Sequence, residues 1–218
     1  MTLKELRRVL FAYQRRKREM CESWVKAARE GRGGLACDGC TTAYCCDQLP
    51  LATQMEGVVI AMSLIDQGRI EVMNAAVLQG KTQTALLEKY GYTPGEDGSI
   101  PPAMVEEACL EWFDSGQSCA FLLHDRCAIY SVRPTICHTY YTAARCTHRY
   151  GAGEMVPTLN NAEPIAYNLM YSSVVLSELL GLGDDIYPPM ALGTAVEFGM
   201  DVITDLLGLS QEATDGKK

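Results

Sequence analysis

The stretch CDGCTTAYCC, residues 37–46, governs how this chain is organised, because it places four cysteines within ten residues. Two residues separate Cys37 from Cys40, a spacing that lets both sulfurs turn toward one metal ion, as in zinc knuckles and iron–sulfur loops. Cys45 and Cys46 are adjacent, and neighbouring side chains in extended chain point to opposite sides. We therefore expect one of this pair to bind a metal while the other packs, or each to face a separate metal.

A second cysteine-rich stretch, CAFLLHDRCAIYSVRPTICH, occupies residues 119–138 and contributes Cys119, Cys127 and Cys137. These three are eight and ten residues apart, so they converge only if the chain between them doubles back. A polar His-Asp-Arg interruption in residues 119–130 predicts a small hairpin or two extended pieces, and a hairpin would double the chain back. About 70 residues of mostly helical pattern separate the two stretches, and helices can bring both to one site in the core.

Together the two stretches resemble the CxxCxxCC family of zinc- or iron-chelating domains, also called YkgJ-like cysteine-cluster proteins. The shared pattern is C-x2-C-x4-C-C followed by C-x-F-L-x4-C-x-I-Y-x-x-R-P-x-x-C, and it spans about residues 37–140. Two departures are the four residues before Cys45, where two or three are expected, and His138, where many members carry arginine. A flagellin lysine N-methylase has a distantly similar cysteine pattern. The resemblance implies a metal centre held by some of Cys37, Cys40, Cys45, Cys46, Cys119, Cys127 and Cys137.

The spacing of these seven cysteines bears on the type of metal. Seven thiols permit one cluster with spare cysteines, or two mononuclear sites that share nearby ligands. A structural zinc site is a closed tetrahedron of four ligands that usually come as two tight pairs, and here only Cys37 and Cys40 form such a pair. Widely spaced ligands that converge in a helical core favour a [4Fe–4S] cluster, with zinc or mononuclear iron as the alternative.

Residues around the cysteine pattern have structural interpretations. Cys21 and Cys109 lie on predicted helices, where we expect small buried hydrophobic side chains. His138 follows Cys137 and is expected to be a ligand, a donor to a ligand, or a hydrogen-bonded core histidine. Arg133 is expected to offset the negative charge of nearby thiolates, since four thiolates leave a metal site net negative.

Apolar periodicity, glycine stops and proline starts predict a mainly α fold, a helical domain around an irregular Cys-rich metal-binding core with a short hairpin. Residues 1–34 are expected to form a long basic N-terminal helix, residues 35–210 a single helical metal-binding domain, and residues 211–218 a frayed tail. The helices are predicted at about 3–30, 53–68, 69–90, 101–115, 131–141, 164–180 and 188–207. Thr53 and Glu56 have the capping-box spacing at the start of the second helix.

The charge of the chain is unevenly distributed. The 218 residues carry a net charge of −8, yet residues 1–33 hold ten Lys or Arg against four Glu. The acidic remainder argues against nucleic-acid binding, which needs a basic face. We expect the basic helix either to be a solvated face, resting on the acidic body, or to dock a protein partner.

Several classes of protein are excluded or left open by the sequence. The most apolar long stretch is too polar for a membrane span, and the charged N-terminus lacks an apolar signal segment, so a cytoplasmic protein is expected. Phosphate-loop, dinucleotide-binding and nucleophile-elbow motifs are absent, as is the C-x3-C-x2-C spacing of radical enzymes. Two hypotheses remain, and they leave open whether the chain is an enzyme. The first is an iron–sulfur protein with a redox or protein-modifying role. The second is a non-enzymatic module in which zinc or iron holds the fold.

Overall fold

A computed structural model of the chain describes residues 1–32, 44–92, 102–139, 180 and 190–209. Its helices are α1 (Leu3–Arg32), α2 (Gln54–Asp66), α3 (Ile70–Lys89), α4 (Pro102–Asp114), α5 (Thr135–Thr139) and α6 (Leu192–Leu206), and a 3-10 turn covers Tyr44–Asp47. Strand β1 (Leu51–Ala52) pairs antiparallel with β4 (Met190–Ala191), and β2 (Leu122–Leu123) pairs antiparallel with β3 (Arg126–Cys127). The mainly α class and the short hairpin are confirmed. The predicted helix at 164–180 lies outside the described residues except for its last position.

Helix α2 is the centre of the fold, and its start is the predicted capping box. The Thr53 hydroxyl accepts a hydrogen bond from the Glu56 backbone N–H, and the Glu56 carboxylate accepts one from the Thr53 backbone N–H. The helix ends two residues before Gly68, whose φ of +65° lies in the left-handed region that glycine favours. Nearly every side chain from Met55 to Met62 is buried, which marks α2 as the helix that the others surround.

Glycines let α6 approach both α2 and α3 with almost no space between the backbones. A Cβ atom placed on Gly57 would lie 1.8 Å from the carbonyl oxygen of Ala195, and one on Gly193 would lie 1.9 Å from that of Ala76. Real Cβ atoms do not come so close, so only glycine permits these two contacts. The α2–α3–α6 layer is therefore fixed by backbone shape as well as by apolar burial.

Helix α1 packs on this layer through the predicted apolar stripe. Leu6, Leu10 and Tyr13 are buried in the main core cluster together with residues of α2 and α6. Lys17 lies on the same stripe and is only 1% exposed, so at this residue the basic helix rests on the body of the protein. The other described basic side chains of α1 are exposed at Lys4 and Arg8 and along the rest of the outer face.

No helix within the described ranges is both long enough and apolar enough to cross a lipid bilayer.

Candidate metal centre

Four cysteines from the two predicted clusters line a single cavity of about 80 Å³. Cys46 comes from the 3-10 turn, Cys119 precedes β2, Cys127 ends β3, and Cys137 lies on α5. All four are partly buried. The hairpin and the turn therefore bring to one cavity cysteines that are up to 91 positions apart in the chain, as Cys46 and Cys137 are.

The backbone around Cys119 is held from two sides. Its N–H donates a hydrogen bond of 2.7 Å to the carbonyl oxygen of Cys46, which joins the two cysteine stretches directly. The Gln79 side chain of α3 donates to the carbonyl of Ser118 and accepts from the N–H of Ala120, both at 2.8 Å. Ser118 also donates its hydroxyl to the Asp47 carboxylate. These bonds fix the peptide units on both sides of Cys119.

Cys127 is placed by the hairpin register, in which it lies opposite Leu122. The two-residue loop uses His124 and Asp125 at φ of +50° and +59°, so both adopt the left-handed conformation that tight hairpins require. His124 is exposed there, as the sequence predicts. On the far side, Arg69 donates a 3.1 Å hydrogen bond to the carbonyl of Ala128.

Cys137 is placed by a contact between its own helix and α2. The Glu56 carboxylate oxygen Oε1 accepts hydrogen bonds from the Thr135 backbone N–H at 2.7 Å and from the Thr135 hydroxyl at 2.6 Å. Glu56 therefore stabilises the start of α2 with one oxygen and the start of α5 with the other. Because α5 has only five residues, this anchor largely determines where Cys137 points.

A buried ion pair completes this anchor. The Lys17 ammonium lies 3.4 Å from Glu56 Oε1, and their side chains are 1% and 4% exposed. Burial acts to raise the pKa of the Glu56 carboxyl, but the Lys17 charge and the hydrogen bonds from Thr135 and Thr53 outweigh it and hold this pKa below its ordinary value. Glu56 is thus a buried carboxylate that stays ionised.

Helix α1 also grips the segment that leads from Cys127 to α5. Gln14 and Arg18 donate to the carbonyl of Ser131 at 2.7 and 3.2 Å, and Lys17 donates to the carbonyl of Arg133 at 2.9 Å. Three side chains on one face of α1 therefore hold the backbone at Ser131 and Arg133. This role follows from the position of Lys17 on the apolar stripe between Tyr13 and Cys21, a signal that charge counting alone overlooks.

The rest of the cavity wall is mostly apolar. Its apolar members are Leu49, Pro50, Phe121, Ile129, Pro134, Ile136 and Leu192. One cation also lines it, because Arg133 contributes to the wall and its Nε is buried without a hydrogen-bond partner among the described residues. Its guanidinium carbon lies 4.3 Å from the ring centroid of Tyr130. Soft thiols beside a partly buried arginine fit a negatively charged metal–thiolate centre.

The outcome for the sequence-predicted site residues is uneven. The structure brings together Cys46, Cys119, Cys127 and Cys137, whereas Cys37 and Cys40 lie outside the described residues. The 3-10 turn contains the backbone of Cys45, but its side chain is not described, and the same holds for the His138 side chain. Across the described ranges, no three His, Cys, Asp or Glu side chains are close enough to hold one metal ion as they are placed. The roles of the seven cysteines as ligands stay predictions.

The conformation at the adjacent cysteine pair differs from the extended chain assumed above. Residues Tyr44–Asp47 form a 3-10 turn, in which successive side chains are about 120° apart around the axis. The expectation that rests on extended chain at this pair is therefore replaced by 3-10 backbone geometry. The two cysteines outside the pattern behave largely as expected. Cys21 is fully buried, where burial raises the pKa of its thiol to about 11, and Cys109 is partly buried on α4.

A helical protein in which cysteines from two distant stretches line one cavity has the features of a metal-binding protein. The chain belongs to the CxxCxxCC family, described as "Putative zinc- or iron-chelating domain", whose family model matches residues 36–154, more than half of the sequence. The suspected family is thereby confirmed, and with it the assignment to zinc- or iron-chelating domains. No curated protein and no solved structure matches the chain significantly.

Proposed function

We propose that this protein holds a [4Fe–4S] cluster bound by cysteine thiolates and uses it in a redox or protein-modifying role. The observation that carries the proposal is the cavity lined by Cys46, Cys119, Cys127 and Cys137. Four thiolates are the usual ligand set of such a cluster. Cys37, Cys40 and Cys45 belong to the same motif and are further candidate ligands.

The origin of the four sulfurs supports a cluster over a structural zinc ion. Zinc fingers and ribbons draw their ligands from tight pairs such as C-x2-C, so each half of the site forms locally. Here the four cavity cysteines come from a turn, the two ends of a hairpin and a separate short helix. Such a site forms only when the whole fold has assembled. This favours an iron–sulfur cluster, whose cysteine ligands can be dispersed along the chain, over a zinc ion.

The residues of this chain would supply enclosure and orientation. Phe121, Ile129 and Leu192 line the cavity and restrict water around the sulfurs, and the degree of solvent exposure is one of the factors that sets a cluster's reduction potential. Glu56 and Gln79 fix the backbone at Cys137 and Cys119, which limits movement of the ligands. A bound cluster would supply one-electron transfer at this position.

Metal analysis of protein purified without oxygen tests the proposal. We expect about four iron atoms and four acid-labile sulfides per chain, with a broad absorption band at about 400 nm that bleaches on reduction. A colourless protein that contains zinc and no sulfide would refute the cluster. A protein with no bound metal would refute the metal centre altogether.

The second candidate is a module in which zinc or iron only stabilises the fold and α1 docks a protein partner. It is favoured by a single stripe on the outer face of α1, where Phe11 is 71% exposed between Arg8 and Arg15. An exposed aromatic flanked by arginines is typical of binding surfaces. Stoichiometric zinc, together with a fold that melts on chelation, would favour this candidate.

A further inference from the structure

Arg133 is a cavity residue with an unused hydrogen-bond donor. It lines the same cavity as the four cysteines, and its Nε is buried with no hydrogen-bond partner in the described part of the chain. Its backbone and the outer part of its side chain are both engaged. The carbonyl oxygen accepts from Lys17, and the guanidinium carbon lies 4.3 Å from the centre of the Tyr130 ring.

A buried arginine N–H without a partner is costly, because it has lost its hydrogen bonds to water and gained none in return. Arginine keeps its charge at all ordinary pH values and offers only donors, so its missing partner must be an acceptor, preferably an anion. The side chains around Arg133 in the cavity include Cys127 and Cys137. A thiolate bound to a metal is an acceptor that carries negative charge.

We propose that the Nε–H of Arg133 donates a charge-assisted hydrogen bond to a metal-bound sulfur in this cavity. Arg133 is then a positioning residue that stabilises the loaded centre without being a ligand. Stacking on Tyr130 and the bond from Lys17 to the Arg133 carbonyl would hold the side chain in place. This inference rests on the proposed metal centre, but it applies to zinc and to an iron cluster alike.

The experiment measures how fast metal-loaded protein loses its metal to excess EDTA without oxygen. Arg133→Met keeps the unbranched aliphatic part of the side chain but removes the guanidinium donors and the charge. We expect metal loss about 10- to 100-fold faster, in line with the fall in metal affinity that follows deletion of a partner of a metal ligand. Arg133→Lys keeps the charge but lacks the Nε donor, so it should also lose metal faster than the wild type. Tyr130→Leu removes only the stacking and should remain much closer to the wild type.

A second measurement separates this role from a structural one. Melting of the metal-free protein should be unchanged or shifted upward in Arg133→Met, because a buried donor without a partner is removed. A lower melting temperature of metal-free Arg133→Met, or equal rates of metal loss in the wild type and this variant, would overturn the inference. Wild-type rates in Arg133→Lys would show that charge alone suffices, and fast loss in Tyr130→Leu would assign the effect to stacking. Wild-type protein that contains no bound metal when purified without oxygen would refute the proposed function itself.

Discussion

Two regions of this molecule are built on different principles. The α2–α3–α6 layer is held by apolar side chains and by glycines such as Gly57 and Gly193, whose backbones touch a neighbouring helix. The cysteine-lined cavity consists of short turns and strands that polar side chains hold from outside. Gln79, Arg69 and Glu56, each on or next to a helix of the layer, fix the backbone beside Cys119, Cys127 and Cys137 respectively. The cavity also contains the buried Nε–H of Arg133, a donor without a hydrogen-bond partner among the described residues.

The comparison also shows that the cavity depends on chain outside the family match. The family model covers residues 36–154, but Gln14, Lys17 and Arg18 of α1 hold Ser131 and Arg133. A piece of the chain that begins at the first motif cysteine would lack these contacts and leave the Glu56 carboxylate without its cation. The N-terminal helix is therefore part of the scaffold for the site.

The largest expected effect is at the buried ion pair that connects the two regions. Glu56→Gln leaves the Lys17 ammonium buried without a counter-charge, which should lower the free energy of unfolding by about 3–5 kcal/mol. Lys17→Met in the same background removes the orphaned charge and should recover part of this loss. Urea denaturation of the wild type and of these two variants measures both effects. A cost below about 1 kcal/mol for Glu56→Gln would contradict the role assigned to this pair.

The same pair predicts how stability depends on pH. The pKa of Glu56 in the folded protein lies below its ordinary value of 4.5, so the native state binds fewer protons than the unfolded state in this range. Its stabilisation is fully present above pH 4.5 and is lost as the pH falls through the folded pKa. Glu56→Gln should flatten this part of a stability profile measured by denaturation at several pH values. An unchanged acid slope in the variant would show that other carboxylates control it.

Glycine substitutions probe the first region by itself. Gly57→Ala places a Cβ atom 1.8 Å from the Ala195 carbonyl oxygen, so α2 and α6 must separate. We expect a loss of about 3 kcal/mol, at the upper end for overpacking. Gly68→Ala is the control, since its Cβ meets nothing within 4 Å and only its positive φ costs about 1 kcal/mol. Equal thermal shifts in the two variants would contradict the close packing.

Cysteine substitutions probe the second region by itself. Cys127→Ala and Cys137→Ala should each strip metal and lower stability only by the part that metal binding contributes. Cys21→Ala is the matched control because this buried thiol is not among the residues that line the cavity and its pKa of about 11 keeps it protonated. Metal content per chain should therefore fall in the first two variants and stay at the wild-type level in the third. The same metal content in all three would invalidate the assignment.

The smallest expected effect concerns the turn of the hairpin. Asp125 has φ of +59°, a conformation that glycine adopts without strain. Asp125→Gly should therefore stabilise the protein by up to about 1 kcal/mol, since His-Asp would be replaced by a sequence closer to the preferred turn. Thermal unfolding measures the gain, and a clear loss of stability would mean that the Asp125 carboxylate has a role in the turn.

The contrast between the regions also explains which features the sequence could predict. The ends of helices depend on local signals. The capping box at Thr53 therefore predicts the start of α2, and Gly91 predicts the end of α3, within a few residues. The hairpin is likewise predicted from a local signal, the polar His124, Asp125 and Arg126 within a short apolar stretch. Strands β1 and β4 pair through only two residues each, which are about 140 positions apart in the sequence. Such a pairing cannot be predicted, because neither strand is long enough to have a recognisable local pattern. Lys17 and Gln79 act through partners that are distant in sequence, so only the folded chain reveals their roles.

The most direct test of the account is an anomalous diffraction map of the metal-loaded protein, collected at the iron and zinc absorption edges. The account predicts one strong iron peak inside the cavity between Cys46 and Cys137, with sulfur ligands at its border. A metal peak elsewhere in the molecule, with the four cavity cysteines left without any metal, would contradict it.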